Sequence, residues 1–293
     1  MTAHPFATVD VTAAEVAAGS LSDDRLHFVV SSLRDHGAAI INDAVDPDHV
    51  DALYEAMTEE LHLAAEKPPA LDTRGHVQHN PPLHAEHLYP DVFANPIALQ
   101  VTRALLGPSV QLSVYTGNTM LGGTTDAQPL HWDDYQLWGS ALQAPAAAPH
   151  STTVNLALVD VEVENGAIEL WPGTHFDARS GDRLADGRLV PDEWAEARRR
   201  EVPPVRVPLG KGGLLLRDGR VWHRGTTNTT DRARPMVAMV YFAWWYRPLA
   251  IDFYPDAEPV LRASGLSVAA RYRAEFDHHE WPPNFKLVPA PID

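Results

Sequence analysis

His131-Trp132-Asp133 and, roughly ninety residues later, His223 are the side chains of this chain best suited by type and spacing to redox chemistry. Two imidazoles and one carboxylate form a donor set that holds a non-haem ferrous ion on one face and leaves the other positions open. On an extended segment, residues two apart point to the same side. His131 and Asp133 therefore face together, whereas Trp132 and Asp134 face away, which leaves Asp134 a supporting role at most. His223 must arrive on a second strand. A bare His-x-Asp is common, so the surroundings matter. Gln128-Pro129-Leu130 fixes the entry to His131, and the apolar run 213–216 and the Asp218-Gly219 turn lead to Trp222-His223.

Activating oxygen at a single ferrous ion takes two further electrons, which a 2-oxo acid supplies by decarboxylation. The distal carboxylate of such an acid calls for a planar, permanently charged fork, and arginine binds carboxylates bidentately. Arg234 opens a long apolar strand beside the one bearing His223. Arg232 has the same parity and stays a rival.

These residues need a scaffold. Helical spacing and end signals give one helix opened by Ser22 and Asp23 and stopped at Gly37, a short strand over 38–44, a second helix from Asp46-Pro47, and a third over 91–106. Residues 67–89 read as a long irregular stretch carrying His76, His79, His84 and His87. Loops of that length in compact domains are usually functional or disordered, so a lid touching substrate through His79 or Asn80 is expected. The two His-x-x-His pairs share no helical face and make a poor second metal site. From residue 109 the pattern turns to strands broken by Gly, Pro and Asn, with candidates at 110–121, 130–133, 152–161, 167–171, 205–208, 213–216, 220–223 and 235–247. The expectation is a mainly β fold with flanking α-helices, a double-sheet jelly roll of cupin-like type. It forms a single domain: a helical part over about 20–107, a core over about 108–250 and an extension over 251–293.

Composition removes other classes. The net charge of −16 argues against nucleic acid and anionic membrane surfaces. The basic run Arg198-Arg199-Arg200 reads as a solvated helix face. With no cysteine there are no disulfides, thiolate metal sites or Cys nucleophiles. The N-terminus lacks a secretory pattern and the longest apolar run, 236–245, is too short to span a bilayer, so a cytoplasmic protein is expected. Gly210-Lys211-Gly212-Gly213 lacks the full phosphate-loop pattern. Most of the large aromatics are core, with Tyr135 and Trp138 as the better pocket-lining candidates. His278-His279-Glu280-Trp281 is another rim or a packed tail.

The His131-Trp132-Asp133 motif, the stretch Asn165-Gly166-Ala167-Ile168-Glu169-Leu170-Trp171-Pro172-Gly173-Thr174-His175, and His223 with Asn228 and Arg234 resemble the phytanoyl-CoA dioxygenase family over roughly residues 26–246. The resemblance implies a double-stranded β-helix and dependence on Fe(II), 2-oxoglutarate and O2. It implies His131, Asp133 and His223 as iron ligands and Arg234 as the anchor of the distal carboxylate. Asn155 and, more loosely, Met120 match positions that contact the cosubstrate. The family often has Ser two residues after the distal histidine. Here that position is Gly225, with Thr226 or Thr227 to stand in. Retention of Asp133 favours oxygenation, or desaturation or ring closure by the same iron chemistry, over halogenation.

The expected reaction is oxidation, chiefly hydroxylation, of a small molecule with release of succinate and CO2. An acidic chain disfavours a CoA ester and leaves a natural-product intermediate as the expected substrate, acted on by a monomer or homodimer. Two other readings stand beside it: a non-catalytic barrel that binds a small ligand, and a zinc hydrolase on the same ligands, which leaves Arg234 without a role.

Overall fold

A computed structural model of the chain describes residues 4–66, 75–134, 148–177, 189–246 and 250–279. Its helices are α1 (Ala13–Ala18), α2 (Asp23–His36), α3 (Pro47–Ala65), α4 (Pro90–Phe93), α5 (Pro96–Leu106), α6 (Asp192–Glu201) and α7 (Glu258–Ala263). The strands are β1 (Ala7–Asp10), β2 (Ala38–Asn42), β3 (His76–Gln78), β4 (Val110–Met120), β5 (Ser151–Ala157), β6 (Ile168–Leu170), β7 (Val205–Val207), β8 (Leu214–Asp218), β9 (His223–Arg224), β10 (Arg234–Ala243), β11 (Ile251–Phe253), β12 (Ser267–Val268) and β13 (Ala270–Tyr272).

The major sheet is mixed and runs β1-β2-β8-β5-β10-β4-β12, with β3 also paired to β4. A smaller sheet runs β7-β6-β9. Side-chain alternation assigns each strand of the major sheet two jobs. On one face, Ala39 and Ile41 of β2, Leu214 and Leu216 of β8, and Val237, Met239 and Tyr241 of β10 pack with residues of α2, α3 and α5 in the main core. On the other, Ala38, Ile40, Leu215 and Met236 join Ile168, Leu170, Val207 and Val221 in a second core shared with the small sheet. Leu214 and Leu216 are fully buried, and burying each is worth about 2 kcal/mol. The functional residues of β8 and β10 lie at the ends of this second, inner face.

Helix boundaries follow local chemistry. Asp46 accepts a hydrogen bond from the Asp48 N–H at 3.0 Å, with Pro47 starting α3. The helix expected over 91–106 is two, α4 and α5. The Asn95 side-chain oxygen accepts from the N–H groups of Ile97 and Ala98 at 3.1 and 3.0 Å, so the chain restarts at Asn95-Pro96 instead of continuing. Three strand expectations also change. Segment 130–133 is not a strand; only His131 pairs, as an isolated bridge. In 220–223, residues up to Trp222 belong to a turn and β9 starts at His223. The stretch expected to be irregular over 67–89 contains β3, which pairs His76 with Met120 and Gln78 with Asn118. The helix carrying Arg198-Arg199-Arg200 is present. Arg199 and Arg200 pair with Glu196 on its solvated side, while Arg198 donates inward to the Pro172 carbonyl at 2.5 Å. No helix among the described residues is long and apolar enough to cross a membrane.

Gly37 closes α2 with φ at 86°, and a Cβ there would meet Val221 Cγ2 at 2.3 Å and His175 Nδ1 at 2.8 Å. Gly37→Ala is therefore expected to destabilise the fold by about 2 kcal/mol or more, measured by urea unfolding; an unchanged midpoint would refute the clash. His175 beneath it is buried with Nε2 2.9 Å from the Arg34 carbonyl, and its pKa is lowered, chiefly by burial. A depressed imidazole means that the unfolded chain binds the extra proton first, so its stabilising contribution is complete above about pH 6.5 and is lost as pH falls below that value. The Tm should drop on acidification from pH 7 to 5, and His175→Gln should shrink the drop; an identical slope in the variant would assign the pH dependence elsewhere.

Candidate active site

The two remote segments are joined by their backbones. The His131 N–H donates to the His223 carbonyl at 3.0 Å and the His223 N–H donates to the His131 carbonyl at 2.8 Å. This reciprocal pair sets the imidazoles side by side, with ring centroids 4.4 Å apart. A turn supplies the third donor. The carbonyl of Gly219 accepts from the N–H groups of Asp133 and Asp134 at 3.0 and 2.9 Å. Gly219 has no substitute there, because a Cβ would meet Asp134 Oδ2 and Ser151 Oγ at 2.5 Å. The turn itself is clamped by Arg220, whose Nε and Nη2 donate to the two oxygens of Asp218 at 2.8 and 2.7 Å. Burial opposes ionisation of Asp218, yet the Arg220 bonds and charge hold its carboxyl below the usual range.

The result is a compact donor cluster. Ligand atoms of His131, Asp133 and His223 all lie within 4.8 Å of one another. His131 Nδ1 is 2.9 Å from the Pro129 carbonyl and His223 Nδ1 is 2.9 Å from the Val221 carbonyl. Carbonyls only accept, so each Nδ1 carries the proton and each Nε2 is the nitrogen that presents a lone pair to a metal. Burial pushes the His223 imidazole well below its ordinary pKa, with the Arg217 charge adding to the effect and Asp133 opposing it. The neutral ring is the form that binds metal. Two imidazoles and one carboxylate fit ferrous iron by donor type.

Trp132 faces away as the alternation requires, fully buried with Trp171 and Trp222. Asp134 also turns away and accepts a hydrogen bond from the Ser151 hydroxyl.

Arg217 joins the cluster as well. Its Nη2 donates to Asp133 Oδ2 at 2.5 Å and its Nε donates to Asn155 Oδ1 at 3.3 Å. Asn155 thus reaches the carboxylate through Arg217. The signal was present in Leu214-Leu215-Leu216-Arg217-Asp218: alternation puts Arg217 on the inner face with Leu215.

Arg234 lies at the start of β10, 1% exposed, opposite Met120 in register. Its Nη2 donates to the Gly166 carbonyl at 2.9 Å and its Nη1 to Asn118 Oδ1 at 3.4 Å. Its Nε has no partner among the described residues, and no carboxylate there pairs with it. Burial lowers its pKa to about 10, so it stays charged at neutral pH. A buried charge without a counter-ion is costly, and the chemistry that relieves it is a planar anion. Arg232 is exposed. His76 lies on β3 near Arg234. Desolvation, with the Arg234 charge adding, pushes its pKa down to about 3, so it is a neutral ring.

The remaining expectations divide. Met120 is buried and its carbonyl accepts from Asn228 Nδ2 at 3.3 Å. Thr226 is buried, but its hydroxyl donates to the Ala167 carbonyl at 2.7 Å, so it cannot also donate to a cosubstrate carboxylate. Gly225 leaves room for another residue: a Cβ there would meet Gln128 Oε1 at 2.9 Å, and that oxygen accepts the Gly225 N–H at 2.8 Å. His79 and Asn80 are buried and hydrogen-bonded to Thr119 and Thr116 of β4, not on an exposed lid. Tyr135 and Trp138 lie outside the described residues.

The profile of the phytanoyl-CoA dioxygenase family, PhyH, matches residues 33–236. The chain belongs to the phytanoyl-CoA dioxygenase family. As a phytanoyl-CoA dioxygenase family member it is an Fe(II)- and 2-oxoglutarate-dependent dioxygenase that takes O2 as second cosubstrate. It is similar to the dioxygenase af480 of Aspergillus fumigatus, 28% identical over 74% of this chain and 67% of that protein. It is also similar to the phytanoyl-CoA dioxygenase domain-containing protein 1 homolog of Caenorhabditis briggsae, 33% identical over 29% of this chain and 32% of that one. Its fold resembles the crystal structure of the non-haem alpha-ketoglutarate-dependent epimerase SnoN from nogalamycin biosynthesis, with a TM-score of 0.53 and 21% identity over 75% of this chain and 82% of that one.

The Arg217–Asp133 bond holds the carboxylate beside the His223 ring, with Asp133 Oδ2 3.5 Å from His223 Nε2. Arg217→Met is expected to weaken ferrous-ion affinity by roughly tenfold or more, as removal of groups behind a metal ligand does. Anaerobic iron titration checks this, with circular dichroism confirming the fold; unchanged affinity would leave Arg217 a purely structural residue.

Proposed function

We propose that this dioxygenase hydroxylates a small molecule, an intermediate of secondary metabolism, with 2-oxoglutarate converted to succinate and CO2. The reading is carried by the buried, acid-free Arg234 lying on the same inner face as the His131, Asp133 and His223 cluster. His131, Asp133 and His223 would hold the iron through two Nε2 atoms and one carboxylate oxygen. When bound, the metal would supply oxygen activation coupled to loss of CO2 from the cosubstrate. Arg234 would fix the distal carboxylate of 2-oxoglutarate and so set the orientation of its 2-oxo end. Asn118 and the Gly166 carbonyl hold the guanidinium in place. Asn155, through Arg217, keeps the Asp133 carboxylate aligned. Met120 forms one wall beside Arg234, and neutral His76 offers a hydrogen bond without adding charge. Tyr135 and Trp138, which follow Asp133 in sequence, are the proposed substrate contacts.

The two facing sheets support a jelly-roll core over about 108–250, acting as one catalytic domain with the helical part over about 20–107 and the extension over 251–293. The net charge of −16 favours a neutral or cationic metabolite over an anionic CoA ester, and a cytoplasmic protein of one or two copies is the simplest setting. Desaturation or ring closure would use the same residues with a different substrate pose.

The test is succinate release from 2-oxoglutarate with iron across a metabolite panel. His223→Ala should abolish turnover; persistence of turnover in that variant would sink the assignment. Arg234→Ala should raise the KM for 2-oxoglutarate, by roughly a hundredfold for a lost buried charge pair. An unchanged KM would mean that the distal carboxylate is held elsewhere.

A further inference from the structure

A second cluster of metal-type donors lies apart from the iron site. Glu60, in the last part of α3, has Oε2 3.0 Å from His278 Nε2 and 3.5 Å from His279 Nε2. One ligand atom from each of these three residues lies within 4.8 Å of the others. The two imidazoles stand with centroids 4.1 Å apart. A fourth candidate donor faces them. His79 is 1% exposed, and its ring lies 5.5 Å from that of His279. Its Nδ1 is 3.3 Å from Thr119 Oγ1, and its Nε2 is buried with no partner among the described residues.

Strand alternation separates this cluster from the iron. On β4, Asn118 turns to Arg234, whereas Thr119, the next residue, turns to His79 on the opposite face. On that face Met57, one turn before Glu60, packs over Gly117. The chain is fixed on both sides of the cluster. The His79 N–H donates to the Gly117 carbonyl at 2.9 Å, and Asn80 Nδ2 donates to the His278 carbonyl. Three sequence-remote pieces therefore meet at one point: α3, the segment after β3, and residues 278–279.

We propose that Glu60, His79, His278 and His279 form a structural zinc site that fastens the C-terminal segment to α3 and to the strand edge at β3. Three imidazoles and one carboxylate without thiolate are borderline donors suited to Zn2+, and four protein ligands close the tetrahedron and leave no position for substrate. A buried Nε2 with no hydrogen-bond partner is costly in a purely packed core, and coordination removes that cost.

The test must keep zinc off the iron ligands, so it uses the His131→Ala, His223→Ala double variant of the full chain, stripped of metal. Titrated with zinc, it should bind about one equivalent and its Tm should rise. Adding Glu60→Gln or His279→Ala should weaken zinc binding by roughly a hundredfold or more and abolish the rise in Tm. Cobalt provides a measurement that does not depend on stability: the double variant should give the intense visible bands of a four-coordinate ion, and His79→Asn should change them. No zinc bound by the double variant on titration, or the same affinity after Glu60→Gln in a protein with unchanged circular dichroism, would overturn the site.

Discussion

The reciprocal hydrogen bonds between the backbones of His131 and His223 are the constraint on which the donor cluster depends. Each is worth only about 1 kcal/mol net, so they do not hold the fold together. Their effect is geometric. They lock two segments that are remote in sequence into one register, and a slip of one residue would turn both imidazoles to the wrong face. The surrounding structure protects that register. Trp132, Trp171 and Trp222 fill the space behind it, and the Asp218–Arg220 clamp shapes the turn whose Gly219 carbonyl captures Asp133. Helices α2, α3 and α5 cover the far face of the major sheet, leaving the inner face to chemistry.

Much of this was legible in the sequence because it rests on local periodicity. The caps at Asp46 and Gly37, the assignment of successive β10 and β8 residues to opposite faces of the sheet, and the side-by-side facing of His131 and Asp133 all follow from spacings of two or of three to four residues. The donor set was legible for the same reason. What spacing could not show was which hydrogen bond a side chain finally makes. Thr226 occupies the right neighbourhood, yet its proton goes to the Ala167 carbonyl, and Gln128 fills the space beside Gly225. Arg217 ends an apolar strand, and only the meeting of β8 with the Asp133 turn gives it a task. The break at Asn95 turned on a side-chain cap outcompeting continued helix, a tertiary choice, since Asn95 also reaches the Ala44 carbonyl.

The major sheet thus works as a partition. Adjacent residues of one strand serve different ends: Asn118 braces the guanidinium on the inner side, and Thr119 meets the histidine cluster on the outer side. A single peptide unit of β4 separates the two surfaces. The C-terminal segment, tied to Glu60 and Asn80, therefore lies one residue along β4 from the partner of Arg234.

On the proposed role of Arg234, its solitary charge bears on how the enzyme would empty itself. Succinate keeps the distal carboxylate of its parent and loses the chelating end. The guanidinium, held by Gly166 and Asn118, would grip both acids alike. Departure of the product would leave that cation bare again, so exchange for a fresh dicarboxylate would be favoured over simple vacating, and accumulated succinate would compete for the same seat.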